Sequence, residues 1–216
     1  MRQDSNFIRA ARFMSGEHSF IPVSFSSPSC PGCFSFYAPK LYKHYDQNLK
    51  ALLEENPRLS KPFEGSVFPT CTFNCGTRVV TLDHVDSTNV PYGFCAIFAC
   101  GSYDPTKGGH LVLFNLGLVV QFPPGSTILV PSGTIRHGNT ATQPHETRQS
   151  FTQYCPGGLL RWVAYGFKPV KAVSANIKKH FDETHEQRRL HAVSLFSKVH
   201  ELHEDRVSMF DLKGSR

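Results

Sequence analysis

From residue 66 onward the chain breaks into apolar runs of four to eight residues separated by glycine and proline turns, and this punctuation constrains the fold more than any other feature. The runs are Ser66–Phe73, Thr77–Leu82, Gly93–Ala99, His110–Asn115, Leu118–Phe122, Thr127–Val130, Thr147–Tyr154 and Leu160–Tyr165. Between them stand Pro91-Tyr92-Gly93, Lys107-Gly108-Gly109, Pro123-Pro124-Gly125-Ser126 and Pro156-Gly157-Gly158. Proline presets a turn dihedral and glycine reaches backbone conformations closed to other residues, so these are turns with a mechanism. Short strands at this spacing predict a β-sandwich or barrel. Residues 66–167 carry only nine charged side chains. That suits strands with buried faces, and it makes each charge there worth an explanation.

Helical patterns flank the strands. Leu41, Tyr45, Leu49, Leu52 and Leu53 recur near helical spacing and Pro57 follows, which predicts a helix over Lys40–Asn56. Residues 174–206 are rich in His, Lys, Glu, Arg and Leu, and Phe181, Leu190, Val193, Phe196, Val199 and Leu202 are placed to line one face. Residues 1–35 read as an irregular arm. The expectation is a mostly β protein with flanking helices: a core over 36–170 that includes the N-terminal helix, and a helical tail over 171–216 packed on that core.

At 216 residues, with 40% hydrophobic and 19% charged residues, the chain can bury a core and does not have a disordered composition. The net charge of +6 is spread along the chain without a run of like charges, so it permits a polyanionic partner and marks no basic patch. Leu111–Phe122, the longest apolar stretch, is too short for a membrane span and contains Asn115 and Gln121. Arg9 and Arg12 interrupt the only stretch resembling a signal peptide, and the seven cysteines are odd in number. These features predict an intracellular protein, nuclear or cytoplasmic, with reduced thiols, no membrane association and no obligate protein partner. Cys30-Pro31-Gly32-Cys33 with Cys71-x3-Cys75 could supply a four-thiolate zinc site, but the second spacing is loose and free thiols are the expectation. His200 and His203, three apart on a helix, are read as a solvated face.

The chemistry centres on His84-Val85-Asp86. Residues two apart on a strand point to one side, so His84 and Asp86 can reach one metal ion, and His137 at a later strand end supplies a third ligand. Two histidines and one carboxylate form the facial triad of non-haem Fe(II) oxygenases, which leaves coordination positions open. Arg148 lies on the next predicted strand, where its guanidinium fork suits a carboxylate, and alternation puts Ser150 on the same side. Iron beside a carboxylate clamp points to a dioxygenase using Fe(II), 2-oxoglutarate and O2. The bland alternative is ordinary loop or core histidines and a surface arginine on an edge strand.

Seven segments carry a family resemblance: Ser66–Asn74, His84–Gly93, Gly101–His110, Phe122–Ser132, Arg136–Asn139, Arg148–Tyr154 and Gly157–Trp162. In these the chain resembles the Tet-like 2-oxoglutarate/Fe(II) oxygenase domains of mushroom-forming fungi, part of the ten-eleven-translocation/J-binding-protein superfamily. The resemblance runs from about Phe36 to the C-terminal helix. It implies a double-stranded β-helix (jelly-roll) fold, with His84, Asp86 and His137 as iron ligands, Arg148 as the 2-oxoglutarate clamp and Ser150 assisting it. It also implies that Asn89, in the pattern H-x-D-x-x-N, contacts a target base, although Asn89 could equally cap the Val90-Pro91 turn. Val85 stands where relatives carry Lys or Arg, and Gln153-Tyr154-Cys155-Pro156 stands where animal relatives carry a histidine. The implied function is oxidation of 5-methylpyrimidines in DNA or RNA. The alternatives are the same chemistry on a protein or small molecule, and a catalytically silent binding module with the same fold.

Overall fold

The computed structural model describes residues 32–63 and 65–210. These fall into two compact units, one of strands within Lys61–Pro156 and one of helices on either side of it in sequence.

The first unit holds β1 (Thr70–Asn74), β2 (Cys95–Ser102), β3 (Leu111–Leu113), β4 (Leu118–Val120), β5 (Thr127–Val130), β6 (His137–Asn139) and β7 (Thr147–Tyr154). They form two antiparallel sheets, in the orders β1-β7-β2-β5 and β4-β3-β6. Cys95, Ile97 and Ala99 of β2 meet Val130 of β5, Leu111 of β3 and Phe122 in a core drawn from both sheets. Phe98 and Cys100 point the other way and bury against Phe151 of β7. A strand buried on both faces reads as a continuous apolar run, which is what Cys95-Ala96-Ile97-Phe98-Ala99-Cys100 is. Each large side chain so buried contributes about 1.5–3 kcal/mol.

Strand β7 is an inner strand and alternates strictly. Phe151 and Gln153 are wholly buried on one side, and Gln153 accepts a hydrogen bond from Ser66 Oγ at 2.6 Å. Arg148, Ser150, Thr152 and Tyr154 line a cavity on the other.

The second unit contains α1 (Cys33–Tyr37), α2 (Pro39–Glu55), α3 (Gly157–Ala164), α4 (Ala175–Glu183), α5 (His185–Ser194) and α6 (Leu202–Phe210). Helix α2 buries Leu41, Tyr45, Leu49 and Leu52 on one stripe and ends before Pro57. Lys40 of α2 pairs with Asp205 of α6 at 2.9 Å.

The structure corrects several expectations. Helices hold more of the described residues than strands do, so the protein is mixed helix and antiparallel sheet rather than mostly β. Leu160–Tyr165, expected as a strand, lies mostly in α3; Leu159, Leu160 and Val163 fit helical spacing, and a short apolar run does not distinguish the two by itself. Cys33–Tyr37 are helical, not part of an irregular arm; the rest of that arm and Cys30 lie outside the described residues. The C-terminal pattern is three helices. Interruption at Thr184 and over 195–201 resets the helical phase, so Ala192 and Leu195 are buried while Leu190, Val193, Phe196 and Val199 are exposed, Val199 at 92%. Among the described residues no helix is long and apolar enough to cross a membrane.

Thr77–Leu82 is extended but forms no ladder of its own. It is stitched between β7 and β6: Val79 N donates to Arg148 O at 2.9 Å, Arg148 N to Thr77 O at 2.9 Å, and Asn139 N to Thr81 O at 2.9 Å. This approach needs Gly138. A Cβ there would stand 2.7 Å from Thr81 O and 3.1 Å from Leu82 O, both backbone atoms. Gly138→Ala therefore has to push the 77–84 segment off β6. A loss of about 1–3 kcal/mol is expected, the cost of overpacking a close contact. Urea unfolding at unchanged m-value would measure it; an unaltered midpoint would show that the segment is free to move.

Candidate metal centre and anion pocket

His84 and His137 face one another across a backbone pair. His84 N donates to His137 O at 3.1 Å, and His137 N donates to His84 O at 2.9 Å. Their ring centroids are 4.3 Å apart. Asp86 sits two residues on, its N–H donating to Ser132 O at 2.9 Å. One ligand atom from each of His84, Asp86 and His137 lies within 4.8 Å of the others. Among the described residues this is the one such group of three histidine, cysteine or acidic side chains.

Local hydrogen bonds prepare each ligand. His84 Nδ1 lies 2.8 Å from Leu82 O, and His137 Nδ1 lies 2.8 Å from Ile135 O. A carbonyl oxygen only accepts, so in both neutral rings Nδ1 carries the hydrogen and Nε2 keeps its lone pair for a metal. Asp86 is divided in the same way. Oδ1 is 3.4 Å from His84 Nε2, while Oδ2 accepts from Asn89 Nδ2 at 3.1 Å. That bond leaves Oδ1 as the free ligand atom. The donor set of two imidazole nitrogens and one carboxylate oxygen, open on the cavity side, fits a divalent first-row metal.

At the rim, the residues just before the two histidines pair with each other. Arg136 grips Asp83 through both Nε, at 3.1 Å, and Nη2.

Arg148 provides the second feature. It is 3% exposed, and among the described residues no carboxylate pairs with it. Its Nη1 donates to Val79 O at 3.2 Å, the Tyr103 phenol bonds the guanidinium, and the buried Nε has no partner. Burial pushes the guanidinium pKa down, with Tyr103 opposing the shift. An unpaired buried charge costs several kcal/mol, so this is a position prepared for an anion. Ser150 stands beside it, 5% exposed, its Oγ accepting from Asn74 Nδ2 at 3.0 Å. Triad and arginine line one cavity of about 310 Å³.

The structure thus brings His84, Asp86, Asn89, His137, Arg148 and Ser150 to one cavity. Asn89 does not cap the Val90-Pro91 turn with its side chain. Its amide nitrogen donates to Asp86 Oδ2 and to Ser132 Oγ, each at 3.1 Å. Both amide hydrogens are engaged, so any contact to a ligand would come from Oδ1. Arg148 is on an inner strand, not the edge of a sheet.

Asn74, Tyr103, Ser132 and Asn139 escaped the sequence reading. Asn139 Oδ1 accepts from Thr81 N at 2.8 Å and its Nδ2 donates to Val79 O at 3.1 Å, which fixes the segment leading into His84. The signal for it was its place in Arg136-His137-Gly138-Asn139; Asn74 and Tyr103 lie in the segments Ser66–Asn74 and Gly101–His110, but nothing in those segments marked either residue as part of a site.

Among the described residues no group of three candidate metal ligands includes a cysteine. Burial pushes Cys95 and Cys155 up to about 12, which leaves both as protonated, inert groups. Cys33, Cys71 and Cys75 are free, and His203 is exposed.

No family model and no curated protein matches the chain. Among solved structures the chain is similar to NgTET1 in complex with 5mC DNA, at 14% identity and a TM-score of 0.40 over 57% of this chain. It spans about half of that structure, 52%. It is also similar to the viral collagen prolyl hydroxylase vCPH from Paramecium bursaria Chlorella virus-1. The 2OG complex matches at 10% identity and a TM-score of 0.28, covering 52% of this chain and 70% of that one. A truncated form matches at 10% and 0.27, covering 68% and 81%. At these scores the functional weight falls on the side chains themselves.

If Asn89 braces Asp86, Asn89→Ala should weaken Mn(II) binding by roughly 10- to 100-fold, the usual effect of removing a group that orients a metal ligand. Titration calorimetry on the folded variant reads this directly, and an unchanged affinity would remove Asn89 from the metal site.

Proposed function

We propose that this protein is an Fe(II)- and 2-oxoglutarate-dependent dioxygenase. The observation that carries the proposal is the pairing, in one cavity, of the His84–Asp86–His137 triad with a buried Arg148 that has no carboxylate partner among the described residues. The two antiparallel sheets are read as the walls of a double-stranded β-helix, with the stretch at His84 extending the three-stranded sheet beyond β6.

His84 Nε2, His137 Nε2 and Asp86 Oδ1 would hold the iron. Bound Fe(II) supplies the redox chemistry that couples O2 and 2-oxoglutarate to oxidation of a substrate. The chain's own contribution is placement. Leu82 O and Ile135 O keep both imidazoles in the metal-binding tautomer, and Asn89 keeps the second carboxylate oxygen occupied. Arg148 and Ser150 receive the far carboxylate of the co-substrate, which keeps its reactive end toward the triad. Arg148 stays fully charged despite its burial, because a guanidinium loses its proton only far above neutral pH.

The substrate class we favour is a 5-methylpyrimidine base in nucleic acid, in keeping with the motifs from Ser66 to Trp162. A base must leave the helical stack to enter such a cavity, and the flanking phosphates must be held by lysines and arginines.

Anaerobic addition of Fe(II) and then 2-oxoglutarate should produce a saturable visible charge-transfer band. His84→Ala should abolish it, and Arg148→Ala should require at least ~10-fold more 2-oxoglutarate, as expected for loss of a charged hydrogen-bonding partner. No band from the folded wild-type protein would defeat the oxygenase reading. For the substrate, affinity for a methylated duplex should fall as salt rises, linearly on logarithmic axes. Salt-insensitive binding would direct the search to protein or small-molecule substrates.

A further inference from the structure

We propose that Asn74 is a positioning residue of the anion pocket. Its side-chain amide turns the Ser150 hydroxyl so that the hydroxyl hydrogen is presented to the far carboxylate of a bound dicarboxylate. The proposal rests on the 2-oxoglutarate reading of the cavity.

Asn74 ends β1 and stands directly across the ladder from Ser150 of β7. Both side chains line the cavity with Arg148. Asn74 Nδ2 lies 3.0 Å from Ser150 Oγ. An amide nitrogen donates and does not accept, so Oγ is the acceptor and its own hydrogen takes no part in that bond. Among the described residues the Ser150 hydroxyl has no second partner, and Ser150 is 5% exposed. A buried hydroxyl hydrogen needs an acceptor, and the cavity is where one can sit.

The neighbour decides what kind of acceptor. Arg148 offers only donors and a positive charge, and among the described residues its Nε has no partner. With Asn74 in place, Ser150 becomes another donor beside that charge, and two donor side chains without an acceptor between them suit a carboxylate. Without Asn74 nothing holds the hydroxyl rotor, and its hydrogen is free to turn away from the ligand, which weakens that bond. An aspartate at position 74 would act more strongly. Its oxygens would take the Ser150 hydrogen, and its charge would compete for Arg148.

The test compares 2-oxoglutarate with pyruvate, a 2-oxo acid that lacks the far carboxylate. Both are titrated calorimetrically into the Mn(II)-loaded protein. Wild type should prefer 2-oxoglutarate. Asn74→Ala should bind it roughly 3- to 10-fold more weakly and Asn74→Asp more than ~10-fold more weakly, with pyruvate and Mn(II) affinities unchanged. Because Asn74 acts through Ser150, Asn74→Ala combined with Ser150→Ala should bind no more weakly than Ser150→Ala alone, which a general structural role would not produce. Wild-type affinity for 2-oxoglutarate in both Asn74 variants, or full additivity with Ser150→Ala, overturns the role of Asn74 and leaves the oxygenase reading standing. A wild-type protein that binds 2-oxoglutarate no better than pyruvate overturns the reading of the cavity, and this proposal with it. Asn74 sits at the half-buried end of an edge strand, and an unchanged melting temperature and Mn(II) affinity establish that each variant is folded.

Discussion

The reciprocal backbone pairing of His84 with His137 is the interaction on which the rest of the site depends. Metal ligands from distant parts of the chain must be held to within fractions of an ångström, and side-chain contacts alone do this poorly. Here both histidines are fixed by main-chain bonds in both directions, and each ring is then fixed by a main-chain carbonyl two residues earlier. The Asp83–Arg136 pair lies just outside, with its side chains 29% and 57% exposed. An ion pair this exposed is worth about 0–1 kcal/mol. It closes the rim, but the main-chain bonds and the clearance at Gly138 bring the ligands together.

The same segment ties the His84–Asp86–His137 group to Arg148. Residues 77–84 bond to β7 at Arg148 and to β6 at Asn139, so one extended stretch spans strands from different sheets. Alternation on β7 does the remainder. Phe151 and Gln153 are locked into the interior, and because side chains alternate, Arg148 and Ser150 must face the cavity. A slip of one residue in the pairing with β1 and β2 would bury the arginine in the apolar core. The register that builds the core is therefore also the register that turns Arg148 and Ser150 to the cavity.

This explains which features could be read from the sequence. Strands β5 and β7 and helix α2 were legible because their periodicities were long or sharply bounded, and the gathering of His84, Asp86, His137, Arg148 and Ser150 at one cavity because their residue types and order suggest one chemistry. Leu160–Tyr165 was not legible, since an apolar run of that length satisfies strand and helix alike. The C-terminal face failed because a single helical phase was carried across Thr184 and residues 195–201, where the chain restarts. Asn74 became visible only once the ladder set it opposite Ser150, and the role of Asn89 only once Ser132 arrived from a distant loop. Hydrogen-bond partners of this kind are properties of register and loop closure, which residue type alone does not encode.

The charges of the cavity give an independent reason to favour a dicarboxylate. On the proposed reading, a divalent metal held by the Asp86 carboxylate and two neutral imidazoles retains one net positive charge. Arg148 lines the same cavity and adds a second, with no carboxylate paired with it among the described residues. Two positive charges on different residues lining a cavity of about 310 Å³ call for a compact ligand with two anionic groups. A monocarboxylate would leave one of them buried and unpaired, at a cost of several kcal/mol. Without the metal, Asp86 and Arg148 balance and the demand for a dianion disappears. Metal and dicarboxylate would therefore bind as linked partners, each raising the affinity for the other by the same factor. Such a linkage would follow from the placement of one aspartate and one arginine in one cavity, whatever the substrate.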